Sequence, residues 1–72
     1  MNGDIIKGSI KELRGKIRQQ WGKLTDDQLD RFEGSRMELA GAIQKSYGMA
    51  RDEAERQVQE WERAQTFQDR AA

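Results

Sequence analysis

Apolar side chains recur along this chain at intervals of three and four. Ile6, Ile10, Leu13, Ile17, Trp21 and Leu24 form one stripe, with spacings of 4, 3, 4, 4 and 3. That period places them on one face of a helix of about four turns. Leu39, Ile43 and Tyr47 repeat the later part of the stripe, and Ala54, Val58, Trp61 and Gln65 mark a last helix. Leu29 and Phe32 define a shorter helix in between. The chain has no proline and no alternating strand pattern longer than a few residues. The pattern predicts an all-α protein of four short helices.

The breaks between stripes are themselves repeated. A 26-residue offset maps Gly8-Ser9 onto Gly34-Ser35, Glu12 onto Glu38, Leu13 onto Leu39, Gly15 onto Gly41, Ile17 onto Ile43 and Gly22 onto Gly48. Trp21 falls on Tyr47, an aromatic in the same place. Trp21-Gly22 and Tyr47-Gly48 read as helix ends, with glycine free to take the left-handed conformation after the last turn. Thr25-Asp26-Asp27-Gln28 reads as a capping box, and its two acids suit the positive end of the helix dipole. Arg51-Asp52-Glu53 keeps the acidic first turn without the threonine, and Gly34 separates the second helix from the third. Each copy is therefore a helix, a glycine turn and a second helix. Two copies are too few for a solenoid, so the expected architecture is a small bundle of two pseudo-repeated helical hairpins. Residues 1–65 form one domain in this reading, and 66–72 a frayed tail with little to bury.

Composition makes such a bundle marginal. Of 72 residues, 36% are charged and only 35% hydrophobic, which leaves little apolar mass for a core. The balance lies toward the disorder boundary, but zero net charge and regular apolar spacing favour folding. The chain contains no cysteine and no histidine. Disulfides and thiolate metal sites are thereby excluded, and the commonest general base and the best nucleophile are missing. Catalytic, cofactor and metal sites are all expected to be absent. Neither a membrane span nor the apolar run of a signal peptide is present, so a soluble, cytoplasmic protein is the expectation, and a monomer is expected as well.

The charged residues hold the one candidate interaction surface. Lys7, Lys11, Arg14 and Arg18 are spaced 4, 3 and 4 beside the apolar stripe, and residues 1–24 carry six positive and two negative charges. Such a row suits a polyanion: nucleic acid, anionic lipid or an acidic protein. The plainer reading is a solvated face matched in part by acids on the second and fourth helices. Overall neutrality and a pI of 6.2 count against a dedicated nucleic-acid binder. The acid pairs Asp26-Asp27 and Asp52-Glu53 resemble general acid–base or cation-binding pairs, but their place at helix starts favours capping. Trp21, Trp61, Tyr47 and Phe32 are expected in the core, and Phe67 is the aromatic expected to be exposed. Gly15 and Gly41 stand inside helices at a cost of about 1 kcal/mol each relative to alanine. Close approach of a neighbouring helix is the expected compensation, with Trp21 or Trp61 lying over the bare backbone. Phosphate cradling would need clustered glycines ahead of a helix, a spacing that is absent.

The run Gly15-Lys16-Ile17-Arg18-Gln19-Gln20-Trp21-Gly22-Lys23-Leu24-Thr25-Asp26-Asp27, followed by Glu33-Gly34 and by Gly41 to Gly48, resembles the CsbD-like family of small bacterial stress-response proteins. The resemblance covers roughly residues 4–62, with Trp61 near its end. Ala42, where the family frequently has lysine, and Ile10, where close members carry tryptophan, are departures. The resemblance implies a four-helix domain arranged like a SAM domain, and induction under general stress. It supplies no active site. Together, residues and resemblance point to a non-enzymatic binding or protective module, similar in composition to hydrophilins, with an unidentified protein or polyanion partner. Nucleic-acid binding through the basic row is the alternative.

Overall fold

A computed structural model describes residues 4–71, with side chains described through Gln65. These residues form four α-helices: α1 (Ile10–Gln20), α2 (Asp26–Arg31), α3 (Arg36–Tyr47) and α4 (Arg51–Ala71). Helix α1 packs against α2, and α3 against α4.

Each of the first three helices starts on a hydroxyl cap. Ser9 is extended, and its hydroxyl accepts from the Glu12 amide at 3.1 Å. Thr25 and Gln28 form the expected capping box, with reciprocal bonds of 3.1 and 2.8 Å. Ser35 makes a second box: its hydroxyl accepts from the Met37 and Glu38 amides, and the Glu38 carboxylate accepts from the Ser35 amide. The repeated Gly-Ser pairs therefore mark helix starts. These caps satisfy amide groups that have no partner inside the helix.

The long first helix expected from the stripe is shorter than its period suggests. Ser9 starts α1 four residues after Ile5, and Ile6 lies ahead of it in an extended segment. That segment runs along the Gly34-Ser35 turn. Ile5 bridges Ser35, the Ile6 amide donates to the Gly34 carbonyl at 2.8 Å, and the Ser35 hydroxyl bonds the Asp4 carboxylate. Trp21 and Leu24 likewise follow α1. All three side chains are nevertheless buried, because the flanking segments fold onto the core that α1 faces. Lys7 consequently stands off the helix that carries Lys11, Arg14 and Arg18.

The core gathers Ile6, Leu13, Ile17, Trp21, Leu24, Leu29 and Phe32 with Leu39, Ala40, Ile43, Ala54, Val58 and Trp61. Trp21 and Trp61 meet edge to face, with ring centroids 5.4 Å apart and planes at 60°. Corresponding positions in the two copies agree at Leu13 and Leu39 and at Ile17 and Ile43, all buried. They part at Leu29, which is buried, and Glu55, which is exposed. Phe67 and the tail from Thr66 expected to fray lie outside the residues whose side chains are described.

The glycines separate into two kinds. Gly48 ends α3 in the left-handed conformation at φ +67°, as expected, whereas Gly22 does not adopt positive φ. Trp21 itself caps α1, its amide reaching the Ile17 carbonyl at 2.8 Å, so no left-handed residue is needed there. Gly15 and Gly41 overturn the close-packing expectation. Both are exposed, and a Cβ at either would meet nothing within 4 Å. The tryptophans pack on each other instead of over these backbones.

Replacing either helical glycine should therefore stabilise the protein. Gly15→Ala and Gly41→Ala are each expected to add about 0.5–1 kcal/mol, a rise in Tm of several degrees. Gly48→Ala is expected to lower Tm, because its backbone would be strained. Thermal unfolding followed by circular dichroism distinguishes the two directions.

Candidate functional site

The basic row is not a uniform free surface. Arg14 reaches across to α2, where its guanidinium donates to the backbone carbonyls of Asp30 at 2.7 Å and Phe32 at 3.1 Å. Those carbonyls lie at the C-terminal end of a helix, which lacks internal donors and carries partial negative charge. Arg18 pairs with Asp26 in the first turn of the same helix. The two arginines thus hold both ends of the six-residue α2 against α1. Lys7 and Lys11 are exposed and have no acidic partner among the described residues. Of the four cations, two are committed within the molecule and two are free, on different segments.

The acid pairs also have local partners. Asp26 holds Arg18, and Asp27 pairs with Arg31 one turn on, at 3.2 Å. Asp52 lies in the first turn of α4 beside Glu53. Arg56 bonds Glu53 at 2.5 Å and Glu60 at 2.8 Å, and the Gln57 amide also donates to Glu53. Hydrogen bonding from Arg56, and then from Gln57, holds the Glu53 carboxyl below its ordinary range. Among the described residues no group of acids forms a metal-binding cluster, and no helix is long and apolar enough to cross a membrane.

The aromatics serve the core and its edge. The Trp21 indole donates to Gln57 at 3.0 Å, which links the α1 end to α4. Phe32 and Trp61 are buried. Tyr47 is half-buried: its hydroxyl accepts from the Lys23 amide at 3.1 Å, while the Lys23 ammonium lies 5.3 Å from the ring centroid. At the head of α3, Arg36 grips Glu62 of α4 through two bonds of 2.5 and 2.7 Å.

One concavity escaped the sequence reading. A groove of about 270 Å³ opens between α2 and α3, with a floor that includes Ile17, Leu24, Leu29, Phe32 and Leu39. Gln28, Arg31, Glu38 and Lys45 stand among its polar lining residues, and Gly41 and Ala42 complete the α3 side. Gln28 also ties the two helices together, because the carbonyl that accepts from Thr25 accepts from the Ser46 hydroxyl at 3.0 Å. The only signal available beforehand was the small-residue run Ala40-Gly41-Ala42, which leaves that side of α3 without bulk.

Comparison with known proteins agrees with the residue pattern. A family model described as CsbD-like matches residues 4–56. The UPF0337 protein YjbJ of Escherichia coli strain K12 is 48% identical over 62 residues, 86% of this chain and 90% of that protein. The UPF0337 protein YjbJ of Salmonella typhimurium is 48% identical over 62 residues, with 86% and 89% covered. A UPF0337 protein of Bordetella pertussis is 49% identical over 61 residues, with 85% and 92% covered.

Two outcomes follow from this geometry. Arg14→Met should destabilise the fold by about 1–3 kcal/mol, since it leaves the α2 carbonyls without their donor. Lys11→Met should stay within about 0.5 kcal/mol of the parent, and urea unfolding of the two variants measures the contrast. Glu53 should titrate below the ordinary glutamate range by NMR, and Arg56→Gln should move it upward. Since its folded-state pKa is depressed, its contribution to stability is present above the unfolded-state value. That contribution is lost as pH falls through the folded-state value.

Proposed function

The chain belongs to the CsbD-like family, and from that premise we propose that it is a non-enzymatic stress-response protein. It acts as a small, monomeric binding or protective module in the bacterial cytoplasm. The observation that supports this reading best is the disposition of its polar groups. Among the described residues no polar or charged residue is buried. Apart from Asp30 and Glu33, the described acids sit at helix starts, in ion pairs or, for Asp4, against the Ser35 hydroxyl.

Catalysis needs a group whose chemistry is changed by its surroundings, held next to a space for substrate. The resolved shifts, at Arg36, Glu53 and Arg56, all stabilise the charged form of a group in an ion pair. Such groups are poor proton-transfer agents at neutral pH. A dense, balanced set of charges on a small apolar core instead favours high hydration, as in hydrophilins.

A drying assay tests the protective role. A dehydrogenase that loses activity on desiccation should retain more of it beside this protein than beside an equal mass of an inert globular protein. Equal retention in the two mixtures would rule out specific protection.

A further inference from the structure

Oxidation of a side chain needs an electron-rich sulfur or ring that solvent can reach. The chain has no cysteine, so thiol and disulfide chemistry are excluded. The remaining oxidisable side chains among the described residues differ in access. Trp21 and Trp61 are buried, and their rings pack on each other. Tyr47 is half-buried, with its hydroxyl bonded to the Lys23 amide. Met49 is half-buried against the core. Met37 alone of this group is open to solvent, with 61% of its surface exposed.

Its position also leaves the Met37 thioether without a part in the fold. Met37 lies in the first turn of α3 and serves the Ser35 cap through its backbone amide, at 3.1 Å. Its side chain belongs neither to the core nor to the half-buried residues packed against it. Sulfoxide formation turns a flexible apolar group into a polar one, which disrupts a core but not a solvated face. Oxygen can therefore be added at Met37, and removed again, with the helices in place.

We propose that Met37 is a site of reversible oxidation by hydroperoxides, and that the folded protein carries this modification without opening. A sulfur lone pair attacks the terminal oxygen of the hydroperoxide. The S–O bond forms as the O–O bond breaks, and the sulfur gives up two electrons. The proton on the attacked oxygen passes to the leaving one, which departs as an alcohol, or as water when the oxidant is hydrogen peroxide. A sulfoxide reductase working with a dithiol reverses the step. The dithiol becomes a disulfide, and its two protons leave with the oxygen as water. Such a site goes beyond the protective reading, because hydration of the surface requires no reactive side chain.

Hydrogen peroxide added to the full-length protein, followed over time by peptide mapping in a mass spectrometer, is the direct test. Met37 should gain oxygen at the rate of methionine in an unstructured peptide, and Met49 several times more slowly. Protein oxidised at Met37 should keep its helicity, with a Tm within about 4 °C of the parent's. A methionine sulfoxide reductase with dithiothreitol should restore the parent mass. Oxidation should also shorten retention on a hydrophobic column. Met1 lies outside the described residues, and Met37→Leu treated in parallel supplies its baseline: the change in retention should be larger in the parent than in this variant. Equal rates at Met37 and Met49 would overturn the proposal, as would protection of Met37 relative to the peptide. So would loss of helicity on oxidation at Met37, a sulfoxide that the reductase leaves in place, or an equal change in retention for the parent and Met37→Leu.

Discussion

Trp21 is the side chain on which the connection between the first helix and the last depends. It caps α1 through its amide, turns its ring edge to face against Trp61, and donates its indole proton to Gln57 of α4. Two large rings in contact contribute more than their buried area alone, by roughly 0.5–1.5 kcal/mol. That matters in a domain with so small a core. The hydrogen bond fixes the orientation of a ring that would otherwise bury an unsatisfied donor. Gln57 is in turn held by Glu53, and Glu53 by Arg56. The core contact is thereby continuous with the charged face of α4.

A second constraint acts at the Gly34-Ser35 turn. The segment from Asp4 to Ile6 lies along it, bonded to both residues, and brings Ile6 into the core. Gly34 takes φ +108° there, a conformation that side chains rarely adopt. Its missing side chain also spares Ile10, whose Cδ1 would lie 3.3 Å from a Cβ. The same pair of residues thus seats the N-terminal segment, starts α3 and admits the first residue of α1.

The helices were legible because the apolar period and the caps point the same way. Thr25 through Gln28 is a complete local signal, since both halves of the box lie within four residues. The boundaries of α1 were not, because Ile6 and Leu24 keep the helical spacing while lying outside the helix. A residue folded back onto the core occupies the position that one more turn would have given it, so period alone cannot distinguish the two. Gly22 and Gly48 show the same ambiguity, with equal places in the repeat and different backbones. How much of the basic row is free was not legible for a related reason. Whether Arg14 and Arg18 are free depends on where α2 comes to rest, and that is set by Leu29 and Phe32 in the core rather than by the row itself. The groove was hidden because the absence of bulk at Gly41 has meaning only beside a neighbouring helix.

The distribution of charge bears on how such a domain behaves when its surroundings concentrate. The ion pairs along α4, the Arg18–Asp26 pair between α1 and α2, and the Arg31–Asp27 pair within α2 are largely exposed. Contacts of that kind are worth little, about 0–1 kcal/mol each, and salt screens them over a few ångströms at molar ionic strength. The hydroxyl caps, the paired tryptophans and the aliphatic core do not depend on long-range attraction between charges. Salt weakens the ion pairs without removing what holds the helices together, and the charges released from pairing remain hydrated. The stability of a domain built this way therefore depends less on ionic strength than its many charges suggest.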